Sequence, residues 1–445
     1  MSTPTNSPTQ TGSGFDAHHP PDPALIDACV HCGFCLTTCP SYRVLGKEMD
    51  SPRGRIYQMD AINSGEIRLN STTVSHFDSC LGCLACVTAC PSGVQYDKLI
   101  EATRGQVQRQ HPRSWQEKLI RGLIFALFPY PERLRPLLYP VVLAQKLGIQ
   151  SLIRRSGWLD RLNPSLGAME SIFPSLDWKQ LQTPHFPVVI PAQGEKRYRV
   201  GVILGCVQRL FAPEVNEATV RVLTANGCEV VIPREQGCCG ALPNHQGVEA
   251  QAQTLARQMI DCFLDAEDID AVLINASGCG HTLKEYGRLL AEDPDYAEKA
   301  KQFAAKVKDV QEFLVEVGLT TPLHPLKTGS LTLVYQDACH MLHGQRISLQ
   351  PRQLLRQIPG VILKEPVDAA LCCGSSGVYN LLQPEIAEEL GHQKVKNLLN
   401  TRAEMIISSN IGCRIQLQKH LRLQGVSDFP LLHPMELIDQ SIQGL

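Results

Sequence analysis

Cys29-Val-His-Cys-Gly-Phe-Cys-Leu-Thr-Thr-Cys39-Pro40 sets four thiols at the spacing Cys-x2-Cys-x2-Cys-x3-Cys-Pro. Cys80-Leu-Gly-Cys-Leu-Ala-Cys-Val-Thr-Ala-Cys90-Pro91 sets four more at the same spacing. Three thiolates on a tight loop can grip three corners of a cubane, and the fourth corner needs a ligand from elsewhere. The run is that of paired [4Fe–4S] sites, in which the fourth cysteine of each motif ligates the other cluster. One cluster is therefore expected on Cys29, Cys32, Cys35 and Cys90, the other on Cys80, Cys83, Cys86 and Cys39. Zinc also uses Cys-x2-Cys pairs but gains nothing from the x3-Cys-Pro element. Pro40 and Pro91 turn the chain away after each loop. Gly33, Phe34, Gly82, Leu84 and Ala85 are small or apolar and let backbone N–H groups approach the sulfurs.

Working outward, 40 residues separate Cys39 from Cys80, where a minimal ferredoxin has a short turn. Gly54–Ser64 reads as a helix, so residues 23–100 are expected to form a helical two-cluster ferredoxin domain. Residues 1–22 are polar and are expected to be a disordered tail. Residues 101–195 read as a helical, Pro-interrupted connector.

The rest of the chain repeats itself. Cys206, Cys238-Cys239-Gly240 and Cys279 recur as Cys339, Cys372-Cys373-Gly374 and Cys413, displaced by 133, 134 and 134 positions. In both copies 38 residues lie between the glycine and the last cysteine. Such register marks an internal repeat, expected over 196–325 and 326–445. Apolar runs at Arg199–Gly205, Val230–Ile232 and Ala271–Asn275 read as strands, with counterparts at Leu331–Tyr335, Val361–Leu363 and Met405–Ser409. Glu249–Leu264 and Pro384–Leu399 read as helices between them. Alternating β and α predicts open parallel sheets with the cysteines at the carboxyl ends of strands. The fold class expected overall is a multidomain α+β chain: a helical ferredoxin domain, then two α/β repeats.

Adjacent cysteines make a strained disulfide, but with a glycine beside them they can present two sulfurs to one metal centre. Residues 199–445 resemble the cysteine-rich CCG domains of heterodisulfide reductase catalytic subunits. The module order is similar to that of the iron–sulfur subunits of glycolate oxidase. Ser51-Pro-Arg-Gly-Arg-Ile56, Gln236-Gly-Cys-Cys-Gly240, Asp337-Ala-Cys-His340 and Ser409-Asn-Ile-Gly-Cys413 carry that likeness. It implies an electron-transfer subunit, not catalytic alone, that receives electrons from an FAD-bearing partner oxidising glycolate or a related 2-hydroxy acid. A quinone-type acceptor would take them. The heterodisulfide reductase form ends each domain in Cys-x2-Cys, whereas Ala276 and Asn410 stand at the earlier position here. Four thiols per copy remain: Cys206, Cys238, Cys239 and Cys279, then Cys339, Cys372, Cys373 and Cys413. These would suit one further cluster, a zinc ion or a redox dithiol. The same modules serve L-lactate and glycerol-3-phosphate oxidation, and a thiol–disulfide reductase is the reading from another class.

Composition sets further bounds. A net charge of −2 in 445 residues argues against nucleic acid. The first Lys or Arg is Arg43, so no signal peptide is expected, and 18 cysteines then fit a reducing cytoplasm. No segment is long and apolar enough to span a bilayer. Residues 104–161 carry 11 Lys/Arg against 3 Asp/Glu, with Leu119, Ile120, Leu123, Ile124, Leu127 and Phe128 at helical spacing. That face is expected to pack on a partner or on the CCG domains, the alternative being peripheral contact with the inner membrane. His340 and His343 flank Cys339 as candidate ligands or hydrogen-bond donors. Cys228 and Cys262 fall outside the repeat and are expected to be packed thiols.

Overall fold

The computed structural model describes residues 12–156, 158–162, 164–174, 176, 178–182, 186–264 and 268–444. It divides into two compact units, Met1–Ser114 with His245–Val248, and Trp115–Asn244 with Glu249–Leu445.

The first unit is helical. Pro52–Asn63, the helix expected at Gly54–Ser64, starts with Pro52 at its first position, and the Ser51 hydroxyl accepts from the Gly54 N–H at 2.9 Å. Ser71–Asp78 opens on an Asn70–Thr73 capping box. Tyr96–Gln110 follows the second cysteine run. Met59, Ile62, Phe77, Leu99 and Ile100 from these helices are buried together, with Cys80 and Cys86 in the same core. The ordered chain begins earlier than the expected tail allows. Phe15 is buried in this core, the Gly14 N–H donates to the Ile62 carbonyl at 2.8 Å, and Asp16 pairs with Arg109 at 2.9 Å. Phe15 supplies an apolar anchor that the polar average of residues 1–22 conceals; residues 1–11 lie outside the described residues.

The second unit holds two sheets. The first contains β1 (Val189–Ile190), β2 (Tyr198–Ile203), β3 (Cys228–Val231), β4 (Ala271–Ile274) and β5 (Val307–Asp309), in the order β1-β3-β2-β4-β5. The second contains β6 (Leu331–Gln336), β7 (Val361–Lys364), β8 (Met405–Ser408) and β9 (Leu431–Leu432), in the order β7-β6-β8-β9. All pairings are parallel except that of β1 with β3. Each repeat therefore orders its strands second, first, third, fourth, a doubly wound arrangement. Its central strands are buried on both faces and so carry apolar runs without alternation. All six expected strands and both expected helices are present. Strands β1, β5 and β9, two or three residues long, carry too little pattern to be read in advance. Cys228 lies fully buried in β3, and Cys262 lies half-buried in Glu249–Leu264.

The two repeats share a core, in which Leu333, Tyr335 and Ile407 of the second meet Val200, Leu223 and Leu273 of the first. The closing helix Pro434–Gln443 packs on Pro213–Ala225, and the Arg221 guanidinium pairs with Asp439 at 2.7 Å. The connector also packs on this unit. Leu134, Leu138 and Val142 of helix Pro131–Lys146 enter a core with Leu210, Phe211, Ile411 and Ile415. The face expected at 119–128 is split, however: Ile124 is buried while Leu119 and Leu123 are exposed. Among the described residues no helix is long and apolar enough to cross a membrane.

Candidate metal centres

In the first unit the eight cysteines stand around two cavities. One, of about 410 Å³, is lined by Cys29, Cys32, Cys35 and Cys90, and by Cys86, which the two cavities share. The other, of about 290 Å³, is lined by Cys39, Cys80, Cys83 and Cys86. The fourth cysteine of each run thus faces the cavity of the opposite run. Cys39 precedes helix Pro40–Leu45 and Cys90 ends helix Ala85–Ala89, and each following proline carries the chain away.

Their surroundings differ. Arg55 is fully buried at the second cavity; its Nη2 donates to Ser41 and Ser79 at 3.0 and 2.8 Å, while its Nη1 has no partner. Burial pushes the Cys80 thiol up, but Arg55 and Arg104 outweigh it and hold Cys80 below its ordinary value. The Gly82 N–H and the Tyr96 hydroxyl donate to Cys80 Sγ at 3.3 and 3.6 Å. Burial and neighbouring thiols push Cys86 up, and burial pushes Cys35 up. The first cavity opens outward, with Cys32 exposed and Phe34 66% exposed. A thiol-lined hollow beside a buried cation with a spare donor fits an anionic iron–sulfur cluster. Sequence reasoning quoted Arg55 inside Ser51–Ile56 but did not assign it; its distance in sequence from the thiols hides the contact. Arg104 and Tyr96 gave no signal at all.

In the second unit the topology gathers each remaining quartet. Cys206 follows β2, Cys238 and Cys239 follow β3, and Cys279 sits on helix Ser277–Lys284 after β4. Cys339, Cys372, Cys373 and Cys413 repeat this after β6, β7 and β8. Three neighbouring parallel strands thus deliver four thiols to one sheet edge. Cys206 and Cys238 sulfurs are 3.2 Å apart, Cys373 and Cys413 3.2 Å, and Cys339 and Cys372 4.0 Å. The glycine of each CCG is obligatory. Gly240 and Gly374 have φ of +77° and +85°, and a Cβ on Gly374 would lie 2.6 Å from the Ala387 carbonyl oxygen. A hydrogen bond with Cys238, then burial, pushes Cys206 up. Cys373 is instead held well below its ordinary value by hydrogen bonds from Cys372 and Cys413, and by the Ser375 N–H and Lys394.

Among the described residues no three thiols lie within 4.8 Å of one another. Zinc at about 2.3 Å from each of four sulfurs would draw them to about 3.8 Å. Each quartet holds close pairs of sulfurs but no closed set of three.

Asn410, where the heterodisulfide reductase form has a cysteine, joins the two quartets. Its Nδ2 donates to Cys413 Sγ at 3.5 Å, and its Oδ1 accepts from the Gly278 N–H at 3.3 Å, beside Cys279. His340 is buried, with its ring 5.2 Å from that of His281. His343 is buried too, and burial lowers its pKa from the ordinary value.

Comparison with known proteins agrees with this construction. A 4Fe-4S dicluster domain model matches residues 25–94, the linker region of glycolate oxidase iron–sulfur subunits matches 116–173, and a cysteine-rich domain matches 200–284 and 333–418. The chain is 38% identical to a probable glycolate oxidase iron-sulfur subunit of Bacillus subtilis over 90% of each chain. It is 34% identical to the glycolate oxidase iron-sulfur subunit of Escherichia coli, over 94% of this chain and 95% of that one. It is also 30% identical to lactate utilization protein A of Oceanobacillus iheyensis, over 55% of this chain and 98% of the relative. With its dicluster cysteines, its linker and both CCG repeats in the same order, this chain belongs to the family of glycolate oxidase iron–sulfur subunits.

Proposed function

We propose that the chain is the electron-transfer subunit of a flavin-dependent glycolate dehydrogenase, passing electrons from an FAD-bearing partner toward a quinone-type acceptor. The observation that carries this reading is the crossed lining of the two cavities. In it Cys29, Cys32, Cys35 and Cys90 hold one [4Fe–4S] cluster, and Cys80, Cys83, Cys86 and Cys39 hold the other. Bound there, such clusters supply one-electron transfer, which splits a flavin's two-electron step.

The chain's own residues do the rest. Arg55 and Arg104 offset thiolate charge at Cys80, and the Tyr96 hydroxyl and Gly82 N–H hydrogen-bond its sulfur. Arg53 fixes the first loop by donating from Nη1 to the His31 carbonyl at 2.9 Å. The exposed edge at Cys32 and Phe34 gives the first site the contact face toward an electron donor. The CCG quartets are assigned to a further metal centre each, a reading supported by the delivery of four thiols to one sheet edge in each repeat.

The test has two parts. The anaerobically purified chain should carry at least eight irons, and Cys90→Ser should remove the EPR signal of the cluster on Cys29, Cys32 and Cys35. Four irons, or loss of the other signal, overturns the ligand sets. Glycolate-dependent dye reduction should require an added flavoprotein partner; turnover by the chain alone, free of flavin, overturns the subunit reading.

A further inference from the structure

The two cysteine loops of the first unit match in backbone and differ in charge. His31 and Gly33 of the first have φ of +53° and +84°, and the equivalent Gly82 and Leu84 of the second have +65° and +64°. The turned N–H groups of such a nest therefore do not tell the two sites apart. Each cavity also has an arginine in its wall. Arg53, at the first, is part exposed, and its Nε donates to Glu48 at 2.8 Å, so its charge is met. Arg55, at the second, is fully buried. It donates to the His76 carbonyl and to the Ser41 and Ser79 hydroxyls, and its Nη1 has no partner. The Asp50 carboxylate stands 3.8 Å from Arg55 and is hydrogen-bonded at 2.7 Å to the Ser79 hydroxyl and at 2.9 Å to His76. Arg104 adds a second buried guanidinium, donating to the carbonyls of Cys80 and His245.

Reduction adds negative charge to a cluster, and net charge, hydrogen bonds to sulfur and solvent set how readily it is accepted. Water at the exposed Cys32 and Phe34 favours added charge at the first site. Buried cations favour it at the second, and so does the Tyr96 hydroxyl, which donates to Cys80 Sγ at 3.6 Å. The cations weigh more: at an effective dielectric of about 20 instead of about 80, a charge acts about four times as strongly as in water. Asp50 offsets one of them, and the other remains. We propose that Arg55, backed by Arg104, makes the site of Cys39, Cys80, Cys83 and Cys86 the more readily reduced of the pair. An electron delivered by the flavoprotein partner at the exposed first loop then moves on to the second site, leaving the first oxidised and ready for another. Neither guanidinium gives up or takes a proton in that step.

The inference rests on the two-cluster reading, and its test separates the two. In the anaerobically purified, cluster-loaded full chain, an EPR-monitored reductive titration should develop the signal lost in Cys39→Ser before the signal lost in Cys90→Ser. Arg55→Gln should make the second site about tenfold harder to reduce, a fall of about 59 mV, with the first unmoved. Arg55→Lys, which keeps the charge, should recover most of that fall. Arg104→Gln should lower the same midpoint by a smaller step, and it decides the matter if Arg55→Gln fails to hold iron. A merely structural role would lower iron content without moving the midpoint of the clusters that remain. Eight irons with the two signals titrating together, or in the reverse order, overturn the inference and leave the ligand sets standing. So does a midpoint that neither arginine variant moves. Fewer than eight irons overturns both.

Discussion

The two CCG repeats hold the same four cysteines on the same strand order, yet their surroundings differ. The close approaches of Gly240 to Ala252 and of Gly374 to Ala387 set the two crossing helices in register. Seven residues on, the first repeat has Met259 and the second Lys394, both fully buried. Tyr286 of the first, whose hydroxyl donates to the Cys239 carbonyl at 2.8 Å, corresponds to His420 of the second. Leu204 and Leu210 correspond to Asp337 and His343. The first centre has a buried cation too, but Arg209 is taken up by the carbonyls of Gly205 and Gln236. Repetition thus preserves the backbone and the thiols, and leaves free the charge around them. The two centres are not electrostatic equivalents: Cys373 of the second is held below its ordinary value, whereas Cys206, Cys238 and Cys239 of the first are pushed up.

The largest effect should come from imposing the second environment on the first. Met259→Lys puts a cation into the apolar cluster of Ile260, Phe263 and Cys239. It should destabilise the second unit by about 3–5 kcal/mol in denaturant unfolding. The reverse change is milder. Lys394→Met keeps the volume but leaves the Ala369 carbonyl without its donor and removes the cation beside Cys373, at a cost of about 1–3 kcal/mol. It should also speed loss of metal from the second centre to a chelator about tenfold, with the first centre unmoved. Equal effects at both centres would break the comparison. Tyr286→Phe, which removes one neutral hydrogen bond, should cost about 1 kcal/mol, confined to the first repeat.

What the sequence made legible divides along the same line. Thiols at fixed spacing and strands such as Leu331–Gln336 could be read because a metal or a buried parallel strand demands particular residues at particular intervals. Lys394 could not, because it stands 21 residues from Cys373 on a helix whose other residues look ordinary. Only the crossing of that helix over the CCG turn brings it there. Arg55 was hidden in the same way. The crossed cavities follow from ligand spacing, whereas charge compensation follows from packing, which one chain read in order does not display.

A pH dependence should also run oppositely in the two repeats. Asp309, which ends β5 in the first, is fully buried with Oδ2 unpartnered, and burial raises it from 3.8 to about 7. The folded chain keeps that proton up to about pH 7, while the unfolded chain releases it near 3.8. Stability from Asp309 is therefore lost as pH rises between those values, at up to about 1.4 kcal/mol per pH unit. In the second repeat burial lowers His420 to about 4 and His433 to about 3. Unfolded histidines take up protons below 6.5 and the folded ones do not, so stability is lost as pH falls from 6.5 toward 4 and then 3. Between pH 4 and 6.5 two histidines oppose one aspartate, and acid should win. Denaturant midpoints across this range should show Asp309→Asn gaining on wild type as pH rises to 7, and His420→Gln gaining as pH falls to 4. If Asp309→Asn leaves the slope unchanged, the buried carboxyl is not the group that titrates, and the contrast in charge between the repeats rests on the second repeat's Lys394 and histidines.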